Sequence, residues 1–249
     1  MNINLIIGAT RKAATLLLRD FNEIQYLRHS PKSMDSFISN SKLRTGEILT
    51  QEWQKYFPDH LIINAQDFQS DLKHESYILF DPLEGQENIQ NNLRFFAISA
   101  MAITKKHDAI STSIVLNFPA LDIICCASSL EGAWLENYQN SSKIKLKHSG
   151  SSTLIIIDKI EKNVLEAASE YNINLENIRS FGSKAYSIMQ LATGNAGAYL
   201  ANNQSILYTK IANFISQTLA YFNTELPGMN IYTPRKLQTL RTLSLKRQY

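Results

Sequence analysis

Only two cysteines occur in this 249-residue sequence, and Cys125 and Cys126 are neighbours in the apolar run LDIICCA. Adjacent cysteines cannot staple distant segments, so a disulfide framework is excluded and two buried thiols in a strand are expected. Glycine and proline are sparse, at nine and six, and no Gly-rich nucleotide-binding loop is present. No apolar stretch reaches the roughly 20 residues that cross a bilayer. Nor is there an excess of one charge: 25 basic against 22 acidic side chains leave +3, too little to point to nucleic acid or an anionic membrane. The five histidines (His29, His60, His74, His107, His148) are scattered without metal-ligand spacing, and no role is assigned to them.

What is present is the composition of a folded chain, 44% hydrophobic and 19% charged, long enough to bury a sizeable core. The basic pair Arg11 and Lys12 follows the apolar residues Leu5 to Ile7, the reverse of a secretory signal. That order predicts a helix of a mature cytoplasmic protein. Apolar residues at helical spacing predict helices over 4–24, through Leu5, Ala9, Ala13, Leu17 and Phe21, and over 43–57, through Leu49, Trp53 and Phe57. Short β-rich runs follow at 61–64, 77–81, 95–104 and 109–118, the last two joined by a turn at Lys105, Lys106, His107 and Asp108. The runs LDIICCAS and AWLEN, with Glu131-Gly132 between them, continue an antiparallel sheet. The polar stretch 137–152 reads as a boundary or surface loop. An αβ alternation succeeds it, with TLIIID, helices near 160–171, 184–193 and 207–221, and a last helix opening at Thr233-Pro234. The expected division is an N-terminal half at 1–140 and a C-terminal half at 141–249, forming one compact unit of layered α and β.

The segment Asp81-Pro82-Leu83-Glu84-Gly85-Gln86 resembles the Asp-Pro-Ile/Leu-Asp-Gly-Thr signature of the inositol monophosphatase family. Flanking segments agree in order and spacing. Ser36-Phe37-Ile38-Ser39 resembles the family's Asp-Phe-Val-Thr, and Tyr56 to Ile63 the helix end and strand before its Glu-Glu motif. Arg179 to Ala185 resembles its Arg-x-x-Gly-Ser-x-Ala, and Leu191 to Tyr199 its Ala-x-Gly-x-x-Asp-Ala-Tyr. The resemblance implies a five-layer αβαβα sandwich of the inositol monophosphatase and sugar phosphatase type. It also implies Mg²⁺-dependent hydrolysis of phosphate monoesters, in which carboxylate-held ions bind the phosphate and activate water.

Matched residue by residue, the implied site is depleted. The first acidic ligand falls at Ala65, with Gln66 in its neighbour's place; two further aspartates fall at Lys42 and Tyr208. Asp81 is kept, the Leu83 carbonyl remains available, and the signature's second aspartate is Glu84. The longer glutamate arm suits the near-octahedral demand of Mg²⁺ poorly. The water-orienting threonine is Gln86, and the paired glycines after the Trp-Asp helix are replaced by Thr218-Leu219-Ala220. Metal positions therefore reduce to Asp81, Glu84 and the Leu83 carbonyl, a vestigial set, with Lys42 expected to pair with Asp81 or Glu84 in a metal's stead. Asp67 could substitute for Ala65 if its strand extends that far, and Glu75 or Glu87 could also reach in.

Substrate-side candidates are Gly85, Gln86, Gly182, Ser183 and Lys184; Gly182-Ser183 before a helix is also simply a cap. The C-terminal stripe with Arg235, Lys236, Arg241, Lys246 and Arg247 is either a docking surface or a solvated helix face. Three functions stay open. One is a non-catalytic interaction protein like the family's bacterial extragenic-suppressor branch, whose partners lie in transcription and ribosomal-RNA complexes. The others are a weak Mg²⁺-dependent phosphatase and a phosphometabolite sensor. A homodimer is expected and a membrane is not; no cofactor is expected unless the phosphatase alternative holds, when it is Mg²⁺.

Overall fold

The computed structural model describes residues 2–24, 26, 31–68, 74–107, 109–140, 142–149, 152–159, 175–202, 205–226 and 229–234. The chain divides into two compact units, 1–145 and 146–249. Both mix helices with a sheet, which is the expected fold class. Among the described residues no helix is long and apolar enough to cross a membrane.

The first unit opens with α1 (Ile3–Ile24), whose apolar residues at i, i+3 and i+4 bury Ile6, Ala13, Leu17, Phe21 and Ile24 on one face. Helix α2 (Pro31–Tyr56) begins well before the expected 43. Its buried stripe runs through Ile38, Ser41, Thr45, Leu49 and Trp53, so two positions on the inward face are polar and the apolar period fades there. Both hydroxyls are satisfied, Ser41 donating to Asp20 Oδ2 at 2.6 Å and Thr45 to the Ser41 carbonyl at 2.7 Å.

The two helices cover one face of a sheet built from β1 (Leu61–Asn64), β2 (Tyr77–Glu84), β3 (Ala97–Lys106), β4 (Ala109–Phe118), β5 (Ile123–Ser128), β6 (Gly132–Asn137) and β7 (Lys143–Lys145), in that spatial order. Pairing is antiparallel except for β1 with β2, which is parallel. Ile78, Phe80, Ile98, Val115, Ile124, Cys126 and Trp134 meet the helices, and the Trp53 ring stands edge-on to Phe80 at 5.2 Å between centroids. Two expectations are corrected. Lys105 and Lys106 belong to β3 rather than to the turn, which narrows around His107 in a left-handed conformation (φ 53°). Lys143–Lys145, read as loop, pair with β6 as an exposed edge strand.

The second unit holds β8 (Ile155–Ile157), β9 (Ile178–Arg179), α4 (Lys184–Ala192), β10 (Ala198–Asn202), α5 (Ile206–Thr218), β11 (Phe222–Leu226) and β12 (Met229–Thr233). Its sheet runs β11-β12-β10-β8-β9, with β8 parallel to β9 and to β10. The β11–β12 hairpin was not anticipated, and Thr233, expected to open a helix, is the buried end of β12. Helix α5 stops at Thr218, followed by Ala220 in a left-handed turn (φ 56°), so the predicted extension to 221 is lost to that hairpin. The helix expected at 160–171 and the basic stripe from Arg235 onward lie outside the described residues.

Candidate functional site

The Asp81–Gly85 segment is shaped by its own sequence. Asp81 pairs with Ser99 and Glu84 with Ala97, so β2 carries one residue more than β3 between these points. This bulge falls at Pro82, which has no N–H to give a ladder. The Leu83 N–H turns instead to Asp81 Oδ1 at 3.1 Å. Gly85 then takes φ 83°, and a Cβ there would lie 2.6 Å from the Phe95 carbonyl oxygen, so only glycine fits. Asn88 fixes the turn from the other side by donating to that same carbonyl at 2.6 Å. Gln86 opens the short helix α3 (Gln86–Gln90).

Lys42 sits on α2 with its Nζ 3.6 Å from Asp81 Oδ1, both side chains 15% exposed. The turn of helix that carries it is pinned from α1: buried Asp20 accepts from Ser41 Oγ at 2.6 Å and from Arg44 at 2.7 Å, the residues on either side. Nothing in the sequence pattern singled out Asp20, because a lone aspartate among apolar positions carries no partner in one dimension.

Beside this pair lies an open cleft of about 750 Å³ between α2 and the end of β1. Lys42 and Gln86 both line it, as does Asp67. The condition set for Asp67 is not met, since β1 ends at Asn64. Asp67 reaches the cleft through a turn instead, its N–H bonded to the Asn64 carbonyl at 2.9 Å and the Gln66 N–H to Asn64 Oδ1 at 3.1 Å. Asn64 and Gln66, flanking Ala65, are part of the lining, with Glu47, Thr50 and Gln51 on the helix side. These three were missed. The available signal was helical spacing from Lys42, since 39, 42–43, 46–47 and 50–51 share one face. Glu75 pairs with Lys105, and Glu87 is exposed on α3.

Elsewhere in the first unit, Arg11 reaches across to Glu136 at 2.7 Å and lies over the Tyr138 ring. His60 Nε2 meets Thr104 Oγ1 at 2.8 Å, and burial pushes its pKa below the ordinary value. In the second unit, Gly182 has φ 64° and Ser183 caps α4, its Oγ accepting from the Tyr186 N–H at 3.2 Å. Lys184 is the first residue of that helix, and Tyr208 is buried in the first turn of α5. Among the described residues, no three His, Cys, Asp or Glu side chains come together in a way that could hold a metal ion.

A model of the inositol monophosphatase family matches residues 3–209. The chain is 25% identical over 205 residues to the Nus factor SuhB of Xylella fastidiosa, covering 79% of this chain and 72% of that protein. Against the Nus factor SuhB of Buchnera aphidicola and the inositol-1-monophosphatase of Rhizobium meliloti the identities are 25% and 28% over 138 residues. There the matched stretch spans only half the length of each relative. Two solved structures share the fold: the extragenic suppressor protein SuhB of Bartonella henselae (TM-score 0.71, 19% identity, 98% of both chains) and inositol monophosphatase II of Staphylococcus aureus (TM-score 0.72, 18% identity, 99% of this chain and 94% of that one). With the bulged Asp-Pro turn on β2, this architecture and a family match over most of its length, the chain belongs to the inositol monophosphatase family.

Proposed function

We propose that this protein works by binding rather than by hydrolysing phosphate esters, its cleft having lost the ions on which the family's chemistry depends. The single observation that carries the reading is the Lys42 ammonium 3.6 Å from Asp81. A divalent ion beside Asp81 would meet the Lys42 charge there, and the repulsion between them offsets part of what the carboxylate returns. Ala65 and Tyr208 supply no carboxylate where the resemblance implies one. The residues present therefore do not fit the parent Mg²⁺ set.

In this reading the scaffold serves a protein partner, in line with the relatives named as Nus factors. A cytoplasmic homodimer engaging transcription or ribosomal-RNA machinery is the form we assign to it. The rival is a weak Mg²⁺-dependent phosphatase, favoured by Asp67 lining the same cleft as Gln86 while Asp81 is kept and Glu84 still offers a carboxylate. Phosphate release from inositol monophosphate and other small phosphomonoesters decides between them. Our reading expects no release above a no-protein control with Mg²⁺ present. Release that is abolished both by chelator and by Asp81→Asn would establish the rival.

A further inference from the structure

We propose that the cleft between α2 and β1 is a metal-independent site for an uncharged, hydroxyl-rich ligand of the size of a mono- or disaccharide. The inference rests on the reading that the metal positions are lost and adds what the remaining space recognises. At about 750 Å³ the cleft falls within the range of small-molecule sites.

Six of its described lining residues carry groups that both donate and accept. Gln51 comes from α2, Gln86 from α3, and Asn64 and Gln66 from the end of β1, with the hydroxyls of Ser39 and Thr50 beside them. An amide offers two N–H donors and a carbonyl acceptor, and a hydroxyl does both, which matches a vicinal hydroxyl array. The Asn64 side-chain Oδ1 already accepts the Gln66 backbone N–H, which leaves the NH₂ end of this amide to a ligand. Phe80, Ile62 and Leu43 give apolar surface against which the C–H face of a ring can lie.

Charge then sorts the ligand classes. Among the described lining residues Lys42 is the lone cation, and it is engaged by Asp81; the other ionisable groups among them are the carboxylates of Glu47 and Asp67. Among these described residues a phosphate dianion meets two like charges and no uncommitted cation. Organic cations gain little, because both carboxylates are exposed and an ion pair with an exposed carboxylate contributes little. Neutral hydroxyls instead donate to those carboxylates and pair with the amides, at no cost in buried charge.

Isothermal titration of the full-length protein in EDTA tests this, with inositol, glucose and sucrose as neutral probes. Inositol monophosphate and glucose 6-phosphate serve as anionic probes and spermidine as the cation. At least one neutral probe is expected to bind, with its phosphate ester at least about tenfold weaker. The variants Gln51→Leu and Gln66→Leu should lose that binding while retaining the wild-type unfolding temperature. Binding of none of the neutral probes, or tighter binding of an ester or of spermidine, would overturn the proposal. Because EDTA excludes hydrolysis, failure here leaves the phosphate-release result standing. Conversely, Mg²⁺-dependent release with intact neutral binding in EDTA would sink only the non-catalytic reading.

Discussion

Replacing Lys42 by methionine keeps most of the side-chain volume but removes the charge facing Asp81. With both partners 15% exposed, the pair lies between exposed ion pairs, worth little, and buried ones, whose rupture is costly. We expect Lys42→Met to lose about 1–2 kcal/mol, a fall of roughly 2–8 °C in thermal midpoint for a chain of this size. Adding Asp81→Asn should recover part of the loss, because the carboxylate that has lost its Lys42 partner is then neutral; a double-mutant cycle read by calorimetry measures the coupling. Gly85→Ala is the sharper local probe. Its φ of 83° and the 2.6 Å approach to the Phe95 carbonyl oxygen both exclude a Cβ, so a loss of at least about 2 kcal/mol is expected in denaturant titration.

At the scale of elements, α2 does most to place the site, since one of its faces packs on β2 and another supplies the cleft wall. Trp53→Ala, at the point where the helix meets Phe80, should cost about 3–5 kcal/mol and reduce any ligand binding in the cleft along with stability. The helices and most strands were legible because their apolar periods are long and regular, as in α1 and in β3 to β5. The first half of α2 was not, since Ser41 and Thr45 occupy its inward face and satisfy themselves within the helix and against Asp20. The β11–β12 hairpin was hidden by the helix-start signal of Thr233-Pro234, which the pairing of β12 with β10 overrides. Asp81, Gln86 and Lys42 were legible through a motif and its spacing. Asn64 and Gln51 were not, because a cleft wall built from two elements leaves no mark in either alone.

Acid sensitivity belongs to this scale too. Burial depresses the His60 pKa below its ordinary 6.5, so the unfolded chain takes up the proton first and stability declines as pH falls below about 6.5. Glu52, bonded to Lys12 of α1 and to Lys55, is held below its ordinary 4.5, and what it contributes is lost as pH falls further through that depressed value. Thermal midpoints recorded from pH 7 to pH 3 should fall in that order, and His60→Phe should flatten the upper part of the slope.

For the molecule as a whole, the proposed absence of resident ions has a thermodynamic signature. A ligand that binds only the native state raises stability in proportion to the logarithm of its concentration. If no divalent ion is held, millimolar Mg²⁺ and EDTA should give the same thermal midpoint, whereas a dose-dependent rise with Mg²⁺ would show an ion bound to the fold. The family relationship alone does not decide this, since the scaffold is set by packed helices and sheets while ion binding depends on a few carboxylates.

The neighbouring thiols offer an internal clock for watching this fold come apart. Cys126 points to the helix-covered side of the first sheet and Cys125, by strand alternation, to the reverse side; neither is solvent-accessible. Burial raises Cys125 to about 12 and Cys126 well above its ordinary value, so at pH 8 a thiol reagent finds no thiolate on the folded chain. Single variants retaining one sulfur each would therefore time separately the detachment of α1 and α2 and the uncovering of the opposite surface. Equal labelling rates would mean that both faces of the sheet are released in one event.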